Sequence, residues 1–405
     1  MKIAFYLPNS SISTIDFSNV DRGNPGIGGS EYSVILIASN LCKRHIYDVT
    51  VYCDKESIFP ASLRWQTCKD LVGAIKLGIR HRIDYIVVDG KFLTEEILCR
   101  FVKVKFIAWA NTFIPAKAQD VFAKMDNVVR VVNVGKEELE QTKGHPIYIK
   151  STYIYNAVPT KILEDFPDII PNVKRKPNVC YIGSLHAAKG FQYLAMAWPA
   201  VLKEIPKAQL YVIGSGKLYG RNNKLGKWNI ASEEFEEMFM PYLTEHGKII
   251  PSVHFLGILG EEKYSVLEKC KVGVPNPSGI SETFGYTAVE MEFMDCQVTT
   301  IKCPGYMDTV CQKENLYENT NELSQYIIRL LKNNNYDRNK VLNYIDLFSV
   351  DKIIQDWEMF FIQLNNKSFS INIVKDKKFY LNILKYYFNR SKKKCKTYVK
   401  ALIKQ

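Results

Sequence analysis

Apolar residues along this chain fall into two recurring patterns. Short runs such as KIAFYLP, DVTVYCD, DYIVVDG, KFIAWAN and VVRVVNV are almost continuous and end in polar or turn-forming residues, as buried strands do. Between them lie stretches with helical spacing, SEYSVILIASNLCKR, TEEILCRFVK and KEELEQTK. Strand and helix in alternation predict a parallel sheet with helices on its faces. The alternation stops between residues 156 and 177, where four prolines and mixed charge predict an interdomain linker. It then resumes with NVCYIGSL, a helix from about Phe191, AQLYVIGSG, VHFLGIL, a helix over 261–269, VGVPNPS, a helix over 287–294, and QVTTIKC. The predicted organisation is therefore a domain at 1–155, a linker at 156–177, a second domain at 178–345, a C-terminal helix at 346–365 (DKIIQDWEMFFIQL) and a tail at 366–405.

Composition narrows the class without changing that picture. A chain of 405 residues with 47% hydrophobic and 24% charged content has enough apolar material for two cores and is far from a disordered composition. Its ten cysteines stand singly, as at Cys42, Cys180, Cys270 and Cys296, and predict free thiols in a reducing compartment. The N-terminal apolar run is halted by Pro8, and no uncharged apolar stretch approaches the length of a membrane span. A cytoplasmic protein is the expectation. The net charge of +12 is confined to one end: residues 366–405 hold 12 Lys and Arg against one acid, Asp376, and the remainder holds 42 basic residues against 41 acidic.

Three segments carry candidate chemistry. In SETFGYTAVE, Glu282 and Glu290 bracket seven residues between a strand-like run and a helix. The amides of Phe284, Gly285 and Tyr286 then sit at a helix start, where unpaired donors and the helix dipole favour phosphate. Carboxylates on either side can accept hydrogen bonds from sugar hydroxyls. Spacing alone leaves a second reading open, in which Glu282 caps the helix and Glu290 lies on a solvated face. In YIGSLHAAKG, Lys189 follows a strand where a cation can reach a phosphate, but the order of glycine and lysine is not that of a P-loop; a solvated lysine is the alternative. In PGIGGSE the glycines permit close backbone approach to a ligand at a helix start, yet the sixth position from Gly26 is Glu31, which breaks the dinucleotide fingerprint. A tight turn accounts for that segment equally well.

Together these segments resemble the retaining glycosyltransferase family of group 1 (family 4 type) with the GT-B fold and the E-x7-E signature, whose members read close to ESFGLVLLEAMACG. The resemblance implies an α/β architecture of two facing Rossmann-like domains with parallel sheets and a cleft between them, the first domain on the acceptor side and the second on the donor side. It implies that Glu282 contacts donor-sugar hydroxyls, that Glu290 holds the ribose, and that Thr283, Phe284, Gly285 and Tyr286 surround the diphosphate. Gly28 and Gly29 match the family's N-terminal GG loop, Gly214 and Gly216 its IIGdGp element, and Phe255 and Leu256 the strand and loop beside the nucleotide base. YIGSLHAAKG resembles the G-R-L-x-x-x-K-G element, with Ser184 where the family has arginine, so Lys189 acts with less help or with a basic residue from elsewhere. Many members carry a histidine in the first domain where this chain has AWANT, which makes Asn111 the substitute. After Glu290 the family's small residues and glycine give way to MEFMDCQV, so the local helix packing must differ.

The resemblance implies a retaining transferase that moves a sugar from a nucleotide-sugar donor, a UDP-sugar ahead of a GDP-sugar, to a glycan or lipid-linked acceptor in bacterial surface polysaccharide or glycolipid synthesis. The largest demand of such a reaction is electrostatic, at the departing diphosphate. With no D-x-D pair in the chain, neither a metal nor another cofactor is expected. A nucleotide-sugar epimerase on the same fold and a catalytically silent, membrane-tethered scaffold are the alternatives. The tail, KDKKFYLNILKYYFNRSKKKCKTYVKALIK, mixes lysines with aromatics, a composition suited to an anionic membrane surface and hence to a peripheral position on the inner face of the membrane. A solvated end would share that composition, and nucleic acid is not an expected partner. Deleting residues 366–405 is expected to abolish co-sedimentation with anionic vesicles; undiminished binding would reject the membrane reading.

Overall fold

The structure is a computed structural model that describes residues 1–280, 282–366 and 368. The 366–405 tail, with its expected membrane contact, lies outside the described residues except at its first positions. Strands β1 (Lys2–Leu7), β2 (Asp48–Cys53), β3 (Trp65–Thr67), β4 (Tyr85–Asp89), β5 (Phe106–Ala110), β6 (Val128–Asn133) and β7 (Ser151–Tyr153) form one seven-stranded parallel sheet in the order β3-β2-β1-β4-β5-β6-β7. The order reverses beside β1, opening the crevice in which such sheets bind ligands. The edge strands β3 and β7 lack an apolar run and leave Gln66, Thr67 and Tyr153 exposed, which is why the hydrophobic pattern passes over them.

The second sheet has five parallel strands, in the order Val253–Gly257, Gln209–Ile213, Asn178–Ile182, Val272–Gly273 and Gln297–Val298. QVTTIKC is not one strand. Gln297–Val298 stays in this sheet, and Thr300–Ile301 leaves it to pair with Leu316–Tyr317. The threonines direct the departure: Thr299 Oγ1 donates to the Asn315 carbonyl at 2.7 Å and Thr300 Oγ1 to the Pro275 carbonyl at 2.9 Å.

Segment 156–177 is docked along its length. Val158 N–H donates to the Phe348 carbonyl at 2.8 Å. The buried Arg175 donates to the carbonyls of Ile170 and Cys270 at 2.8 and 2.7 Å. Asn172 N–H donates to Asp295 Oδ2 at 2.8 Å, and the Asn172 amide to the Asp295 carbonyl at 2.7 Å. Asp295 is left-handed, with φ 68°, and it follows the C-cap Met294 of the helix Tyr286–Phe293, at the position where the sequences it resembles carry glycine. The departure in MEFMDCQV is thus tied to how this chain anchors its linker.

The C-terminal helix, Val350–Asn366, returns to the first domain. Its buried Trp357 packs 5.0 Å from the ring of Trp109 and 6.1 Å from that of Phe5, and Arg44 pairs with Asp351 at 2.9 Å. The chain therefore crosses between the domains twice. Trp357→Ala is expected to lower stability by about 3–5 kcal/mol, the usual cost of emptying a buried aromatic site, read as a lower midpoint in chemical denaturation.

Glu292 lies buried on the same helix as Glu290, where its Oε1 accepts the Cys311 N–H at 2.9 Å and its Oε2 finds no partner among the described residues. Burial pushes its carboxyl up to about 8, against the smaller opposing effects of that N–H and of Lys313. The folded protein thus holds a proton that the unfolded chain releases above the ordinary value of 4.5, so the site costs stability as pH rises from about 4.5 to about 8. Glu292→Gln keeps an acceptor for the Cys311 amide. Its denaturation midpoint is expected to exceed that of the wild type at pH 8 and to converge with it towards pH 4.

Candidate functional site

The carboxyl ends of both sheets face a cleft of about 1090 Å³, including its open mouth. From the first domain, the loop after β1 lines it with Gly26, the start of the following helix with Gly29, and the end of β5 with Asn111 and Thr112. From the second domain come Ser184, Lys189, Gly214, Glu282, Thr283, Phe284, Tyr286 and Glu290. Residues as far apart in the chain as Gly29 and Glu290 are thereby brought to one place.

Glu282 and Lys189 meet directly. The ammonium donates to Glu282 Oε2 at 3.0 Å, and the Asn276 amide donates to the same oxygen at 2.8 Å. Burial works against the Lys189 charge, but Glu282, together with Tyr219 and Cys303, outweighs it and raises the lysine above its ordinary value. His186 nearby is depressed, first by burial and then by the Lys189 charge, and so adds no positive charge. The turn after Lys189 requires glycine: Gly190 has φ 72°, and a Cβ there would lie 2.4 Å from the Ser278 nitrogen. Ser184 is buried in the lining with its hydroxyl turned towards the Ser215 carbonyl at 3.5 Å, and it brings no charge.

Asn111 lines the same cleft from the other domain. It is 8% exposed, and neither its amide nitrogen nor its side-chain oxygen has a hydrogen-bond partner among the described residues. A buried amide left unpaired is costly, and Asn111 is among the residues that line the cleft. Its backbone carbonyl accepts the Thr283 hydroxyl at 2.8 Å, so the first domain is registered directly against the segment Glu282–Glu290. Tyr286 adds a second tie, its hydroxyl 2.6 Å from Ser33 Oγ.

Glu290 is neither solvated nor surface-facing. It is 4% exposed, with Oε1 2.7 Å from Lys263 Nζ and accepting the Tyr264 hydroxyl at 3.0 Å. The expectation for the helix start needs correction in one respect, because the Tyr286 N–H turns back onto the Phe284 carbonyl at 2.9 Å and is not offered outward. Gly285 caps the helix Tyr286–Phe293 from outside the cleft lining, closely packed on Tyr306.

Four other expected residues also stand outside the lining. Gly28 is the N-cap of the helix Gly29–Arg44. Gly216 donates its N–H to the Ile230 carbonyl at 2.9 Å. Phe255 turns inward onto Phe191 and Phe239, and Leu256 lies towards solvent. The strand shifts register between Phe255 and Gly257, and this bulge brings Ile258 and Leu259 to the cleft in their place.

Sequence reasoning missed Lys263, Asn276 and Tyr219, all of which line the cleft, and Arg221, which donates across the domains to the Gly26 carbonyl at 2.7 Å. Nothing in EEKYSVLEK marks its first lysine as buried. Asn276 lies in NPS, a plain turn signal, and Tyr219 and Arg221 belong to a polar loop whose course over the cleft has no sequence signature.

Residues 176–333 match the family model for glycosyl transferases group 1. Among curated protein sequences there is no significant match. Among solved structures the chain is similar to HepE from Anabaena in complex with UDP and glucose, at 16% identity over 90% of this chain and 100% of that one, with a TM-score of 0.61. It is also similar to a glycosyltransferase from Rickettsia africae, at 13% identity over 90% and 98%, TM-score 0.58, and to the lipopolysaccharide outer core galactosyltransferase WaaB, at 13% identity over 88% and 98%, TM-score 0.58. The chain has the GT-B fold, and its second half carries a segment matching glycosyl transferases group 1.

Proposed function

We propose that this protein is a retaining, metal-independent glycosyltransferase that moves a hexose from a UDP-sugar to a glycan or lipid-linked acceptor, in the synthesis of a bacterial surface polysaccharide or glycolipid. The observation that carries the reading is that the Lys189–Glu282 pair and Asn111, whose amide is unpaired among the described residues, line one cleft. A cation, a carboxylate and a free amide are what a sugar diphosphate needs at its leaving oxygen and its hydroxyls. The neighbouring fold in HepE from Anabaena, held with UDP and glucose, supports the choice of donor.

In this mechanism the donor lies with its diphosphate towards Lys189 and the Gly29 end of the first-domain helix, and its sugar against Glu282 and Asn111. As the anomeric bond lengthens, negative charge gathers on the diphosphate and Lys189 offsets it. Glu282 orients the sugar hydroxyls and stabilises charge developing on the ring; it forms no covalent bond. Asn111 takes the position of the family's histidine and hydrogen-bonds the sugar from the opposite side. The protein works in the cytoplasm, with its basic tail holding it to the inner face of the membrane beside its acceptor.

Lys189→Ala and Glu282→Gln are each expected to slow nucleotide release from a UDP-sugar in the presence of acceptor extract by roughly 10²–10³-fold, the usual cost of removing a preorganised electrostatic group. A Glu282→Gln protein that transfers at the wild-type rate would contradict the assignment.

A further inference from the structure

Lys263 has no part in the mechanism above, yet it is among the most deeply placed charges in the cleft. It is 4% exposed and opens the short helix Lys263–Leu267. Its ammonium lies 2.7 Å from Glu290 Oε1 and donates to the Asn24 carbonyl, in the loop after β1, at 3.2 Å. An ammonium has three N–H groups, so two acceptors leave one donor without a partner among the described residues, on a side chain that lines the cleft.

Glu290 shows the complementary arrangement. Its Oε1 takes both Lys263 and the Tyr264 hydroxyl, which fills the two lone-pair sites of that oxygen. Oε2 is therefore the oxygen left for a ligand. One open acceptor stands beside one open donor, both buried and both held in place by contacts already made.

The chemistry of the pair selects its ligand. A phosphate would meet the Glu290 carboxylate 2.7 Å from the cation, and like charges at that range repel. A neutral vicinal diol suits it, since one hydroxyl can donate to Glu290 Oε2 and the oxygen of its neighbour can accept from Lys263. We propose that Lys263 is a ribose-binding residue, donating to one hydroxyl of the nucleotide's ribose while Glu290 accepts from the other. The inference rests on the nucleotide-sugar reading of this cleft and goes beyond it in making ribose recognition a two-residue device. Because Lys263 also holds the Asn24 carbonyl, the ribose is read by a group that touches both domains.

The test is calorimetric binding of UDP, 2′-deoxy-UDP and 3′-deoxy-UDP. Each deoxy analogue is expected to bind the wild type roughly tenfold or more weakly than UDP, since each loses a hydrogen bond to a charged group. Lys263→Met is expected to abolish one of the two penalties and keep the other. A wild type that penalises only one analogue, or neither, overturns the proposal without any variant, so the result stands even if Lys263→Met fails to fold. A folded Lys263→Met that keeps both penalties also overturns it. A wild-type protein that binds none of UDP, GDP and ADP overturns the functional reading itself, and this inference with it.

Discussion

Charge placed in a water-poor cleft must be matched by charge, and the site of this protein is organised around that requirement. Glu282 is met by Lys189 and Glu290 by Lys263, at 3.0 and 2.7 Å. Removing one member of such a pair leaves an uncompensated buried charge, which costs far more than the pair contributes to stability. The pairs therefore act less as struts than as fixed electrostatic features that hold four side chains in one orientation before a ligand arrives. Such preorganisation lets a site stabilise developing charge without rearranging during the reaction.

The same cleft is closed by contacts that cross between domains. Thr283 reaches Asn111, Tyr286 reaches Ser33, Lys263 reaches Asn24 and Arg221 reaches Gly26. Each of these ends on a cleft-lining residue or beside one, so the relative position of the two sheets and the geometry of the site are one property. The returning helix Val350–Asn366 and the docked segment 156–177 fix the outer ends of the same arrangement.

Much of this was legible in the sequence, for identifiable reasons. Buried parallel strands impose nearly continuous apolar runs, so the central strands of both sheets stood out, whereas Trp65–Thr67 and Ser151–Tyr153 did not. Glu282, Glu290 and Lys189 stand out by residue type and spacing, Asn111 only through the family resemblance, and all four line one cleft. The amphipathic pattern of DKIIQDWEMFFIQL reveals a buried face but not the domain that buries it. Lys263 and Arg221 escaped notice because a cation's role depends on which backbone crosses it in space. Phe255 and Leu256 were displaced from the cleft by a bulge that no composition announces.

The central claim is that this cleft is built for a nucleoside diphosphate carrying a sugar, and the most direct test is a thermal-shift screen of the protein against UDP, GDP, ADP and their common sugar conjugates, with Glu290→Ala beside the wild type. A ligand that binds only the folded state raises its melting temperature. The account predicts a shift with UDP and a UDP-sugar that disappears in Glu290→Ala. No shift with any nucleotide, or a shift that survives unchanged in the variant, would contradict it.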